Sequence, residues 1–281
     1  MSTANFFSKP LPKTVTGSAG SVKGDKKAKW LSPFIDMKST PFNFMTIKPG
    51  QDTLVRLIPT FSSLDTGYTL NVKTVGVKYK DPTTGTTTDG MILAGTWWDK
   101  VEQWLLANYR ERMHSFSKNP TGDLKLRAKV RVIFWVAAMI SPEEGKDAVP
   151  TLRLVNLAGT NYKGGPAGDG DQFGPGGDFY EDFDPEQGRD IMIRATLKNP
   201  NDNTSKTYRF NPSRTAVPID PKWLSAIPEE WMNNPAETRP SLVGMQRQSS
   251  SEEIQAALEA SLPADIFAKL MEVVGQGGFK Y

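Results

Sequence analysis

The chain of 281 residues contains no cysteine and a single histidine, His114. The first absence excludes disulfides, thiolate zinc sites and a cysteine nucleophile. The second excludes a histidine-rich metal site and leaves any imidazole acid/base chemistry to one residue at the end of a helical stretch. No apolar run approaches the roughly 20 residues that a bilayer span needs. The N-terminus has no apolar signal-peptide core, so a soluble intracellular protein is expected. There is no Walker A sequence, GxSxG elbow or HExxH helix. Asp169-Gly-Asp171 has the start of a calcium loop, but Tyr180 stands where the twelfth-position Glu belongs. No enzyme, metal or cofactor is expected.

Charge is present but unevenly placed. The formal net charge is only +3. Residues 1–30 carry six Lys against Asp25 alone, whereas residues 159–190 carry eight acids against two bases. Residues 249–281 carry five acids against two bases. The remainder is therefore basic, which is the footprint of a polyanion binder.

Residues 1–29, rich in Ser, Gly, Thr and Lys, read as a flexible basic arm. A core is expected over 30–247. Thr53–Ile58 reads as a strand stopped by Pro59, and Tyr68–Tyr79 as a second whose β-branched residues suit a pleated surface. Asp81-Pro-Thr-Thr-Gly85 reads as a turn. Over 96–113 the period changes: Trp97, Val101, Trp104, Leu105 and Asn108 share one helical face. Leu124–Ala138 and Thr151–Leu157 read as a hairpin, and Ile191–Leu197 with Lys206–Phe210 as another. Residues 159–190, with nine Gly, read as a mobile acidic loop, set as a gate over the basic strands. Trp223 and Trp231 are expected to anchor the Pro-rich 211–247 segment. Ser250 and Glu253 have capping-box spacing, and two short apolar stripes follow, from Ile254 to Leu262 and from Ile266 to Val274. The 248–281 segment is thus expected to be a helical tail for protein partners. The fold class is mainly β with helical additions. Its antiparallel strands are expected to close into a small barrel with one inserted helix.

The strand 124–138 carries the chemistry. Its even positions, Leu124 to Ala138, are all apolar. Its odd positions are Lys125, Arg127, Lys129 and Arg131, then Ile133, Trp135 and Ala137. Successive side chains point to opposite faces, so cations on one face stand about 6.6–6.8 Å apart. That spacing nearly matches the phosphate repeat of an extended single strand. Neutralised phosphates release counterions and give salt-dependent affinity, and an exposed Trp135 would stack on any base. Arg56, Lys73, Lys78, Arg194, Lys198 and Arg209 add cations from other strands, and Tyr79 and Tyr208 further rings. Together these residues predict a basic, aromatic groove for single-stranded nucleic acid.

The string Leu54-Val-Arg-Leu-Ile-Pro59, the basic strand running into Phe134-Trp-Val-Ala-Ala-Met-Ile-Ser-Pro142, and the hairpin that begins Ile191-Met-Ile-Arg-Ala-Thr-Leu-Lys198 resemble a known family in order and spacing. It is the single-stranded DNA-binding, helix-destabilising proteins of T-even bacteriophages and their relatives. The resemblance covers roughly residues 50–215. It implies an OB-fold core that coats unpaired strands during phage DNA replication, recombination and repair. It also implies an N-terminal arm for self-association on DNA, and a C-terminal tail that recruits phage or host replication or transcription proteins. By the resemblance, Arg56, the 125–135 series and Arg194 are DNA contacts. The chain departs from the family in lacking the cysteines of its structural zinc. The basic-Ser-Thr arm motif is also absent from the N-terminus; Lys38-Ser39-Thr40 lies later. A recruiting adaptor acting through the tail, a phage structural protein and an RNA-binding module are the other functions compatible with the sequence.

Overall fold

A computed structural model describes residues 33–34, 44–81, 84–113, 124, 126–142, 146–158, 172–197, 199 and 206–274. The N-terminal arm, His114, Lys125, residues 159–171 and Lys198 lie outside the described residues. These residues form seven strands, paired antiparallel, and a few helices. The strands are β1 (Asp52–Ile58), β2 (Leu70–Lys80), β3 (Thr87–Leu93), β4 (Ala128–Ile140), β5 (Val149–Ala158), β6 (Asp190–Leu197) and β7 (Lys206–Pro212). The helices are α1 (Thr96–Tyr109), α2 (Pro221–Leu224), α3 (Glu229–Asn233), α4 (Ser251–Ser261) and α5 (Ala264–Val274). The described chain divides into two compact units: one of residues 44–71 and 131–245, the other of residues 33–34, 72–130 and 246–274.

In the first unit the strand order is β5-β4-β1-β6-β7. Its outer strands, β5 and β7, are not paired to each other, so the sheet is open where a closed barrel was expected. One face carries Val55, Leu57, Val132, Phe134, Ile191 and Ile193, all buried. The segment 172–183 covers that face: Phe173 and Phe183 are fully buried, and Phe134 stacks on Phe173 at 4.6 Å. The Arg189 guanidinium donates to both carboxylate oxygens of buried Asp182, at 2.7 and 2.8 Å. The expected mobile acidic gate is thereby corrected over 172–190. Asp178, Glu181 and Glu186 are exposed on an aromatic plug that is itself core, while Asp182 is buried within it.

The second face is also covered. Strand β4 is buried without interruption from Val132 to Ala138. Ile58, Trp135 and Leu154 stand in register across β1, β4 and β5. Trp135 packs edge-to-face on Phe61 at 5.5 Å and on Trp231 of α3 at 5.9 Å. The Trp223 indole of α2 donates to Asp190 at 3.1 Å. Asp65 ties down the same segment by accepting from the Ser241 hydroxyl and the Leu242 and Val243 amides. Trp223 and Trp231 thus anchor 211–247 as the sequence predicts.

The second unit gathers the β2-β3 hairpin, α1, α4 and α5 around one core. The sequence does not announce β3, because Asp89-Gly90 breaks its alternation. Gly85, at φ 70°, closes the predicted turn with its amide on the Asp81 carbonyl at 2.8 Å. Buried Trp97, Trp98, Val101 and Leu105 of α1 meet Ile254, Leu258, Ile266 and Leu270 of the last two helices. The Ser250 hydroxyl accepts from the Glu253 amide at 3.2 Å and the Glu253 carboxylate from the Ser250 amide at 3.1 Å, completing the capping box. The Ser261 hydroxyl accepts from the Lys78 amide at 2.8 Å, satisfying a donor of β2. Helices α4 and α5 therefore spend their apolar faces on this core.

Candidate nucleic-acid interface

The predicted contacts separate into buried, engaged and available side chains. Arg56 is 1% exposed. Every residue of β1 from Val55 to Ile58 is buried, so its guanidinium must find partners inside the protein. Nη2 donates to the Val217 carbonyl at 3.0 Å and to the Asp184 carbonyl at 3.3 Å, and Nη1 lies 3.5 Å from Asp190. Burial lowers its affinity for the proton and the Asp190 carboxylate opposes that shift. Arg56 is a structural ion, not a surface for phosphate.

Trp135 is 0% exposed and Tyr79 7%. The Trp135 ring lies inside the first unit, and neither of its faces can receive a base. Tyr79 points into the core of the second unit, where burial, with Glu253 near, pushes the phenol above its ordinary range. Tyr208 is half-buried against the first unit's core, and burial raises it too. The aromatic half of the predicted groove is corrected for two of its three rings: Trp135 and Tyr79 are core, while Tyr208 is partly exposed.

Among the cations, Lys73 is engaged by Asp99 at 3.1 Å and Glu102 at 3.9 Å, both on α1. Arg131 is half-buried, donates to the Asn156 side chain at 3.2 Å, and is shifted down by desolvation. Lys78 is exposed and stands opposite Asp89 in the hairpin register. Arg127 and Lys129 are exposed and form no ion pair among the described residues.

The first unit presents one further arrangement. Arg194 on β6 stands directly opposite Arg209 on β7, and on its other side opposite Asp52 of β1. Asp52 takes two hydrogen bonds from the Arg194 guanidinium, each 2.5 Å. That contact holds the Asp52 carboxyl below its usual range and Arg194 above its own. Arg209 is exposed and has no acid partner among the described residues. One step along the same face, the Thr196 and Thr207 hydroxyls share a 2.8 Å hydrogen bond. Like charges directly opposite in a sheet repel, and the one carboxylate here, Asp52, is engaged by Arg194 alone. The row can accept anions: two cations, flanked by hydroxyls, on an exposed face.

Sequence reasoning passed over Arg110 and the Trp104–Tyr109 pair. The signal was present: a Trp and a Tyr beside Arg110-Glu-Arg112 at the end of the one long helix. Among the described residues no cluster of His, Asp or Glu could hold a metal ion. No helix among them is long and apolar enough to cross a membrane. No protein-family model and no curated protein matches the chain.

Proposed function

We propose that the protein is a sequence-independent single-stranded DNA-binding protein of the phage kind, and not an enzyme. It coats and protects unpaired strands during phage DNA replication, recombination and repair in the host cytoplasm. The observation that carries this reading is the Arg194–Arg209 pair. It sits within the hairpin whose sequence resembles the phage family, and its one carboxylate leaves positive charge uncompensated. Phosphates fill that deficit by counterion release, which carries no sequence information. Arg127, Lys129 and Lys78 supply further exposed cations on the second unit. We read the open five-stranded sheet as the counterpart of the family's OB barrel. The N-terminal arm is assigned to contacts between copies on DNA, and residues 249–281 to phage or host replication or transcription proteins.

The test is fluorescence anisotropy with oligo-dT, RNA of equal length and duplex, each across a salt series. Oligo-dT is expected to bind tightest. Substituting Arg194→Gln and Arg209→Gln together should flatten the salt slope by about 1.4, at roughly 0.7 per contacted phosphate. Asp52→Asn, which releases Arg194, should strengthen binding at low salt. Equal affinity for duplex and single strands would refute the function, and an unchanged slope in the double variant would refute the site.

A further inference from the structure

If Trp135 and Tyr79 are core, a protein that holds bases needs rings elsewhere. The second unit offers one pair. Tyr109, the last residue of α1, packs on Trp104 with ring centroids 5.4 Å apart and planes tilted by 60°. Both rings are half-buried: they rest on the unit's core and keep an edge or face to solvent. Asn108, between them, donates its side-chain amide to the Trp104 carbonyl at 2.8 Å. Residues 107–112 line an open recess of about 300 Å³ there. That is at the lower end of small-ligand sites, sized for one base with its sugar rather than a folded ligand. Arg110 at the lip is exposed and forms no ion pair among the described residues, and Arg112 lines the same recess. A cation at a helix C-terminus also suits the helix dipole. The dipole accounts for the charge of Arg110 but not for an aromatic pair left half-open beside it.

We infer that Tyr109, backed by Trp104 and flanked by Arg110, is a nucleobase-stacking site on the second unit. Tyr109 takes the face of one base, and Arg110 takes an adjacent phosphate. Stacking of this kind tolerates every base. The inference rests on the single-stranded DNA-binding reading and adds an aromatic contact on the second unit.

The experiment compares oligo-dT with an abasic oligonucleotide of equal length and charge, on the full chain. The intact protein should prefer oligo-dT. Tyr109→Ala should bind oligo-dT roughly 5- to 150-fold more weakly, as expected for one lost stack, and lose most of the preference over the abasic strand. Tyr109→Phe should keep both. Arg110→Gln should lower the salt slope by about 0.7 for either strand. Photocrosslinking of the unaltered protein to 5-iododeoxyuridine-substituted oligo-dT should label Tyr109 or Trp104, and this arm decides the matter if Tyr109→Ala does not fold. Crosslinks confined to other residues, or full base preference in folded Tyr109→Ala, would overturn the stacking site while leaving single-strand binding in place. Failure of the unaltered protein to bind either strand would remove both.

Discussion

Trp135→Ala separates the two roles that its position invites. If the ring were a stacking platform on an open strand, its loss would weaken DNA binding and leave the fold nearly untouched. The structure places it at 0% exposure between Phe61 and Trp231. A fully buried Trp removes about 150–250 Å² from water, which at about 25 cal/mol per Å² is roughly 4–6 kcal/mol. Measured truncations of buried Phe or Trp cost about 3–5 kcal/mol, because the cavity relaxes only in part. The two edge-to-face contacts are lost in the same step and lie within that figure. A cost of about 3–5 kcal/mol is a large share of a typical domain's stability of roughly 5–15 kcal/mol. Trp135→Phe keeps a ring against Phe61 and Trp231 and should cost less.

The assay is urea unfolding followed by far-UV circular dichroism, with oligo-dT anisotropy measured on the same preparations. Both variants should unfold at lower urea. At concentrations and temperatures where they remain folded, their DNA affinity and salt slope should match those of the unaltered protein. The opposite result would refute the packing argument: an unfolding midpoint unmoved in Trp135→Ala, together with a tenfold or greater loss of oligo-dT affinity.

Two further outcomes follow from packing. Gly188→Ala places a Cβ 2.4 Å from the Asp182 carbonyl oxygen, 2.7 Å from that of Asp184 and 2.9 Å from the Arg56 guanidinium. Two of those neighbours are backbone, so the clash cannot be relieved by a rotamer, and a loss of about 1–3 kcal/mol is expected in urea unfolding. Truncation after residue 248 removes Ile254, Leu258, Ile266 and Leu270 from the second unit's core. The shortened chain should bind anilinonaphthalene sulfonate and be cut by protease within β2, β3 or α1; a protease-resistant second unit would show that α4 and α5 are dispensable appendages.

What the sequence conceals is which faces are covered. Alternation of apolar and polar residues locates strands well, and six of the seven are legible in it. It assumes that the second face meets solvent. In β4 that assumption holds only while the odd positions are basic. From Val132 to Ile140 the run is apolar at every position, the pattern of a strand buried on both sides. The lid that buries it arrives from Trp231, far along the chain, in a segment too short and Pro-rich to read as a layer. Arg56 is concealed for the same reason. A charge within Leu-Val-Arg-Leu-Ile announces either a surface or an internal ion pair, and only the tertiary fold supplies Asp190 and the two carbonyls that settle which. In 172–183, acids and glycines mask Phe173, Phe179 and Phe183, whose spacing fits neither a strand nor a helix face. The cations that do stay open, Arg127, Lys129, Arg194 and Arg209, lie outside that two-sided apolar run. An exposed basic residue in this chain is therefore best found by asking where the two-sided apolar pattern stops, and that question leads to the ends of β4, the β6-β7 hairpin and the close of α1.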